Sequence, residues 1–516
     1  MKTRMNNFFK LAICVFALAF VVACDSDDDG PAPTFETPQI SITSESTSLL
    51  KPGDPIEVTV SLTAEAGNQT LIVNRGGGIL DQVALDETAT SFTYTGANVS
   101  ATLAEGDTEE YQFILVDTQD QQSSPAVFTA DIAVYDMVDV KGIDVFNVDI
   151  PTDGLVPGGT DVKFASGREY YISNSLFFQP NSTFTVEEGV TIYLADLADS
   201  SVEVEMTPGS EAFIEGTANA PVVMTSENTI DNTAEPGDWD RFRLDGVQNS
   251  VVRYLRTEYA DTGFRISDCD NTNTVEFIQV FLSAEEGFYI SNGDLDFKYV
   301  LVTDTGDSGY RLGDDFSGTG QFLVAVRVNE RGSQEEVYMR DNSTVSLANI
   351  TLVGPGMDDE SDDGLRYRGI SAKVYSSIIA DYPDEDIKVE DEFAPTDLNG
   401  DNVLAYSYTF RGGDAAKSDG VRALYGTFDA NGDPLTNPFF NNALQGGPSA
   451  DDFVFEEIAG IGTNDFVPDA EQTAKENFDP STVNPAFLSN TFVGAIQNAD
   501  NDWTTGWTKN ADGSLR

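Results

Sequence analysis

The sequence predicts an all-β protein: an N-terminal immunoglobulin-like sandwich, then a parallel β-helix, then a loop-rich C-terminal cap. Three observations carry that expectation. Residues 39–137 alternate apolar and polar side chains with period two. Residues 140–390 repeat one short motif, its clearest copies 24 and 22 residues apart. Helical periodicity is scarce across that second region.

In the first region Ile56, Val58, Val60 and Leu62 share one strand face, and Glu57, Thr59 and Ser61 share the other. Residues 111–117 and 126–134 read as the last two strands. Turn signals at Lys51-Pro52-Gly53-Asp54 and Arg75-Gly76-Gly77-Gly78 separate the strands. About 100 residues of this kind suit an immunoglobulin-like sandwich. The Cys…Trp…Cys spacing of antibody domains is missing, so the expected role is that of a spacer.

The second region repeats Gly263-Phe264-Arg265-Ile266-Ser267-Asp268 as Gly287-Phe288-Tyr289-Ile290-Ser291-Asn292 and as Gly309-Tyr310-Arg311-Leu312-Gly313-Asp314. Weaker copies are Glu336–Asp341 and Gly364–Gly369. A second apolar strand lies between copies, at 275–283, 295–303, 321–328 and 345–353. A repeat of this length fits one coil of a parallel β-helix, with coils stacked at about 4.8 Å. Two stretches, Gly209–Ser226 and Glu235-Pro236-Gly237-Asp238-Trp239-Asp240, resemble the entry coils of right-handed β-helix lipoproteins of Bacteroidetes. Phe492–Ala495 and Asp502–Thr508 resemble their closing motif. The resemblance covers roughly 140–516 and implies a right-handed helix. It also suggests outer-membrane uptake receptors as company. Residues 391–516 lose the rhythm and are expected to cap the helix with Phe439, Phe440, Trp503 and Trp507. Those aromatics serve either as core or, alternatively, as sugar-stacking platforms.

The N-terminus has the parts of a secretory signal over residues 1–23. Lys2, Arg4 and Lys10 precede an apolar run from Leu11 to Val22. That run is shorter than the ~20 residues of a spanning helix. Val21-Val22-Ala23-Cys24 resembles the lipobox of bacterial lipoproteins, which implies acyl chains on Cys24 and anchorage to a membrane. A chance cysteine in a signal peptide is the alternative. Residues 24–38 are an acidic, Pro-rich tether. Asp25-Ser26-Asp27-Asp28-Asp29 also resembles the export signal of surface-exposed Bacteroidetes lipoproteins, implying the outer face of the outer membrane.

Composition excludes several functions. A net charge of −59, from 87 acidic against 28 basic residues, argues against nucleic acid as a partner. The chain has no histidine, which removes Ser-His-Asp and Cys-His catalysis and imidazole metal ligands. Of three cysteines, only Cys24 and Cys269 follow the signal, so no intrachain disulfide is expected once Cys24 is acylated. Cys269 reads as a small buried hydrophobe.

Candidate ligand residues come from the repeat. The two apolar residues of each copy should face inward, leaving the residue between them outward. Down the coils that position holds Arg243, Arg265, Tyr289, Arg311, Tyr338 and Arg366. Such a stripe suits an extended anionic glycan, with arginines pairing to carboxylate or sulfate and tyrosines stacking on sugar rings. The alternative is ordinary outward residues paired with nearby acids such as Glu258, Asp268, Asp314 and Asp341.

Two D-x-N-G-D stretches, Asp397, Asn399, Asp401 and Asp429, Asn431, Asp433, can supply oxygen ligands to Ca²⁺, although Asx-rich turns need no metal. No cofactor is otherwise implied. The expected function is non-enzymatic binding of an anionic glycan or a surface partner. One alternative is a polysaccharide lyase acting on uronate polymers, for which Lys298 and Arg311 are the nominated pair. Another is an accessory subunit of an outer-membrane uptake receptor.

Overall fold

The computed structural model describes residues 34–45, 48–150, 153–198, 200–328, 335–356, 363–368, 371–382, 387–389, 403–410, 458, 460–462, 465–472 and 478–516. Cys24, expected from the sequence to carry lipid, both D-x-N-G-D stretches, Phe439 and Phe440 lie outside the described residues. The chain divides into two compact units. The first takes in residues up to Ser46, Pro55–Ala97 and Glu110–Thr129; the second takes in Thr47–Asp54, Asn98–Glu109 and Ala130 onward.

The first unit is an immunoglobulin-like sandwich. One sheet is antiparallel, with Val58–Thr63 between Gln39–Glu45 and Ser91–Tyr94. In the other, Asn68–Arg75 pairs with Gly78–Ala84 and Thr108–Asp117. Period-two alternation buries Val58, Val60 and Leu62 from one sheet and Leu71, Val73, Tyr111 and Phe113 from the other. Tyr94 meets Phe113 edge to face, with centroids 5.6 Å apart. The hairpin at Gly76 and Gly77 has φ of +59° and +80°, a pair of left-handed residues for which glycine carries no steric penalty.

The second unit is a right-handed parallel β-helix. It starts with the antiparallel hairpin Asp136–Val140 and Ile143–Asn147, and the latter strand pairs in parallel with Glu169–Ile172. One face of the coils is a ten-stranded sheet that includes Glu203–Met206, Arg241–Asp245, Phe264–Ser267, Phe288–Ser291, Tyr310–Gly313, Glu335–Arg340 and Asp363–Arg368. The rest of each coil begins as two short strands, such as Glu211–Glu215 and Val222–Ser226. From Val251–Glu258, which pairs with both, to Ser346–Val353 these fuse into one bent strand, and beyond it they separate again as Lys373–Tyr375 and Ile378–Ala380.

The bend has a repeated cause. Tyr254, Phe277, Tyr299, Phe322 and Asn349 each take a left-handed backbone, with φ from +48° to +59°. That conformation is costly for aromatic residues. Stacking offsets it: successive rings lie 4.4, 4.5 and 4.9 Å apart. Another corner explains the end of the repeat motif. Asp268, Asn292, Asp314 and Asp341 all have φ near +54°, and Asp and Asn tolerate this region best among residues with side chains. The opening glycines answer to close packing. A Cβ on Gly263 would lie 2.2 Å from Val280 Cγ1, and one on Gly287 would lie 2.7 Å from Gly309 O.

Inside the coils Phe242, Phe264, Phe288 and Tyr310 form one stack and Leu244, Ile266, Ile290 and Leu312 another, all fully buried. Near the first coils, Glu105 accepts from Tyr170 Oη at 2.8 Å and from Val134 N at 2.7 Å, and it pairs with Arg168.

The described C-terminal residues form a strap along the outer face of the bent strands. Trp507 meets Tyr254, Trp503 meets Tyr299, and Phe492 stacks on Phe322, at 5.4, 5.6 and 5.9 Å. Two buried amides clamp its backbone: Gln279 exchanges two hydrogen bonds of 2.8 Å with Lys509, and Gln321 holds Leu488 in the same way. Trp507 is fully buried, so its contribution here is to packing.

Candidate ligand-binding face

On the ten-stranded sheet the flanking residues of each motif point into the coil. Alternation therefore sends the middle residue outward. Strand register aligns these residues coil by coil: Arg243 is opposite Arg265, Arg265 opposite Tyr289, Tyr289 opposite Arg311, Arg311 opposite Tyr338, and Tyr338 opposite Arg366. All six residues nominated from the sequence stand in one row. Glu205 precedes Arg243 in this register, and Lys388 follows Arg366.

The tyrosines differ from expectation. Tyr289 and Tyr338 are only 8% and 6% exposed. The ring of Tyr289 is covered by Arg265 at 4.7 Å and Arg311 at 4.8 Å. Arg340 and Arg366 each lie 5.1 Å from the Tyr338 ring. Guanidinium groups stack on aromatic faces at such distances. These rings therefore serve as spacers between arginines, and their faces are not open to a sugar.

Carboxylates hold most of the arginines. Arg243 pairs with Glu205 at 3.4 Å and Asp245 at 2.9 Å. Arg311 pairs with Glu286, and Arg366 with Glu335 at 2.7 Å. Burial pushes the Glu335 carboxyl upward, against the pull of Arg366. Of the four acids nominated from the sequence, Asp314 accepts from Tyr289 Oη at 3.0 Å. Glu258 and Asp341 pair instead with Arg256 and Arg340, and Asp268 is exposed at its corner. The neighbouring-strand acids that do the pairing lie in other coils. Sequence reading also missed Arg340 and Arg368, which stand opposite each other beside the row. Their signal was present, since both lie two residues beyond a row member and so on the same strand face.

An acidic edge flanks the row. Asp240, Asp261, Glu285 and Asp307 follow one another at the corner, linked by backbone bonds from Asp261 N to Asp240 O, Glu285 N to Asp261 O and Asp307 N to Glu285 O. Burial first, then the neighbouring acids, raises the carboxyls of Asp261 and Glu285 above the ordinary range. Among the described residues no group of three or more Cys, Asp or Glu is arranged to hold a metal ion. Lys298 belongs to the bent strand Phe297–Thr303 and pairs with Glu276 at 3.4 Å, so the structure does not bring it to Arg311 on the other sheet. Cys269 is buried, and desolvation pushes its thiol up to about 11, which makes it inert.

Residues 158–250 match a family described as a pectate-lyase-like β-helix domain. Among solved structures, the chain resembles a family 28 exopolygalacturonase from Yersinia enterocolitica at 10% identity and a TM-score of 0.23, over 74% of this chain and 88% of that one. It also resembles the pectate lyase PelI from Erwinia chrysanthemi in complex with tetragalacturonic acid, at 11% identity and a TM-score of 0.20, over 65% and 88%. Fibronectin(III)-like modules of Clostridium thermocellum CbhA align with 18% of the chain and 95% of their own length, at 14% identity and a TM-score of 0.13. No curated protein matches the chain.

Proposed function

We propose that this protein is a lipid-anchored lipoprotein of the outer membrane, exposed at the cell surface. Its β-helix binds an extended anionic glycan without cleaving it. The observation that carries this reading is the register row itself. A chain of net charge −59 with only 28 basic residues aligns four arginines coil above coil on one sheet, with two more beside them. Parallel strands repeat at about 4.8 Å, so a linear polymer lying along the row passes one arginine or tyrosine at each coil. Guanidinium forks pair bidentately with carboxylate or sulfate.

A polysaccharide array probed with the soluble protein tests the binding, and acidic polymers should be retained over neutral ones. Changing Arg265, Arg311 and Arg366 together to Ala should abolish that retention in a variant whose melting curve still shows a folded core. Unchanged retention removes the row as the site. For the anchor, Cys24→Ala should move the protein from the membrane fraction to the soluble fraction and end labelling by a fatty-acid probe.

The match of residues 158–250 to a pectate-lyase-like domain favours a second reading, a lyase acting on uronate polymers. Such a lyase forms unsaturated products that absorb in the ultraviolet. Their accumulation on pectate or alginate at high protein concentration would replace the first reading with the second.

A further inference from the structure

The arginines of the row are not equivalent. Arg243, Arg311 and Arg366 each have a carboxylate partner. Arg265 has none among the described residues, and its one side-chain interaction is the ring of Tyr289 at 4.7 Å. Its Nε is buried without a hydrogen-bond partner, yet the residue as a whole is part-exposed. The exposure therefore belongs to the outer end of the side chain, where the two Nη groups have no acceptor among the described residues. In register Arg265 lies next to Arg243, and Arg311 covers the far side of Tyr289. The site is thus a guanidinium with cations on both sides. The chain is rich in acids, with 87 of them, but among the described residues no carboxylate pairs with Arg265.

We infer that Arg265 is the seat for one anionic group, a carboxylate or sulfate, of the bound glycan, and that recognition there is by charge and fork geometry with no aromatic stacking. This rests on the glycan-binding reading above. Tyr289 fixes the guanidinium plane, which lowers the entropy lost when the fork closes on an anion. The other arginines are neutralised within the protein. They shape the face and attract the polymer weakly, while Arg265 makes the ion pair that discriminates.

The test uses isothermal titration with three polymers: polygalacturonate, its methyl ester, and a sulfated galactan. The wild type should bind at least one of the two polyanions, and bind the neutral ester at least tenfold more weakly than polygalacturonate if the carboxylate is the anion taken. Arg265→Ala should lower polyanion affinity by tenfold or more and flatten its dependence on salt, leaving ester binding as it was. Arg265→Lys, which keeps the charge and loses the fork, should fall between. Arg253→Ala, on the bent strand Val251–Glu258 away from the row and paired with Glu276, should change affinity less than threefold. Thermal melts of every variant establish folding, and Arg265→Lys carries the test if the alanine variant is unstable. Binding of a polyanion that Arg265→Ala and Arg265→Lys both leave intact overturns the seat and spares the glycan reading. Equal weakening toward the ester and the polyanions overturns it too, because that pattern marks a structural role. No binding of any polymer by the wild type removes the glycan reading itself.

Discussion

The guanidinium of Arg265 lies over the ring of Tyr289, 4.7 Å from its centroid, and Arg311 covers the same ring from the next coil at 4.8 Å. This relationship makes the row a stack of alternating planes. Each cation–π contact is worth about 0.5–1 kcal/mol at a partly exposed site. Tyr289→Phe keeps both contacts and loses only the bond to Asp314, so it should cost about 0.5–1.5 kcal/mol. Tyr289→Leu loses the bond and both contacts and should cost about 1.5–3.5 kcal/mol. Urea unfolding of both variants checks the order. Equal costs would show that the ring contributes only volume.

The strap depends on amides from the coils. Gln279 is fully buried and bonds both the N–H and the C=O of Lys509 at 2.8 Å. Gln279→Leu has similar bulk and leaves those backbone groups without a partner, which costs about 1–3 kcal/mol. The loss should be local: protease cleavage within 478–516 should accelerate while the coils stay resistant. Trp507→Ala should do the same more strongly, since a buried tryptophan truncation costs about 3–5 kcal/mol. Slower or unchanged cleavage in Gln279→Leu would count against the clamp.

These two features show what the sequence could and could not reveal. The coil was legible because each motif copy obeys a local rule: glycine where a Cβ has no room, apolar residues inward, and Asp or Asn at the left-handed corner. The row followed from the same alternation. The fate of the tyrosine faces did not, because it depends on which rotamers two adjacent coils choose against each other. The bent strand left a signal that a period-two reading passes over. Val252 and Leu255, Val275 and Ile278, and Phe297 and Val300 are buried pairs three residues apart, which places an extra residue between them in every coil. The strap left no local signal, since Gln279 and Lys509 are 230 residues apart in the chain.

The acidic edge should respond to pH in a defined direction. Asp261 has its carboxyl raised by burial and then by Asp240. A group whose folded value exceeds its unfolded value destabilises the folded state when ionised, and stability returns as pH falls through the folded value. At neutral pH Asp261→Asn should therefore raise the melting temperature. In acid the wild type already carries the proton, and the gain should shrink towards zero below the ordinary aspartate range. Melting curves from pH 7 down to about pH 3.5 measure it. A gain that persists undiminished in acid would mean that relief of repulsion is not its source.

Glu258 should respond in the opposite sense. It is buried, and desolvation alone would raise its carboxyl. The charges of Arg256 and Lys509, with bonds from Lys509 and Thr225, outweigh burial and hold it below the ordinary range. Arg256 Nε lies 2.5 Å from Glu258 Oε1, and Lys509 Nζ lies 2.8 Å from the same oxygen. Arg256 also donates to Trp507 O at 2.6 Å, so the ion cluster ties the strap to the coil. A depressed folded value contributes stability above the unfolded value near 4.3, and that stability is lost as pH falls through the folded value. The strap should accordingly loosen in acid before the coils do. Two of the three tryptophans, Trp503 and Trp507, belong to the strap, and Trp239 is buried within the coils. An early red shift in tryptophan fluorescence therefore reports strap release. Lys509→Met removes one of the two cations, lets burial raise the Glu258 carboxyl, and should move that shift to higher pH. A transition that stays at the wild-type pH in Lys509→Met would show that the strap is held by its aromatic and amide contacts alone.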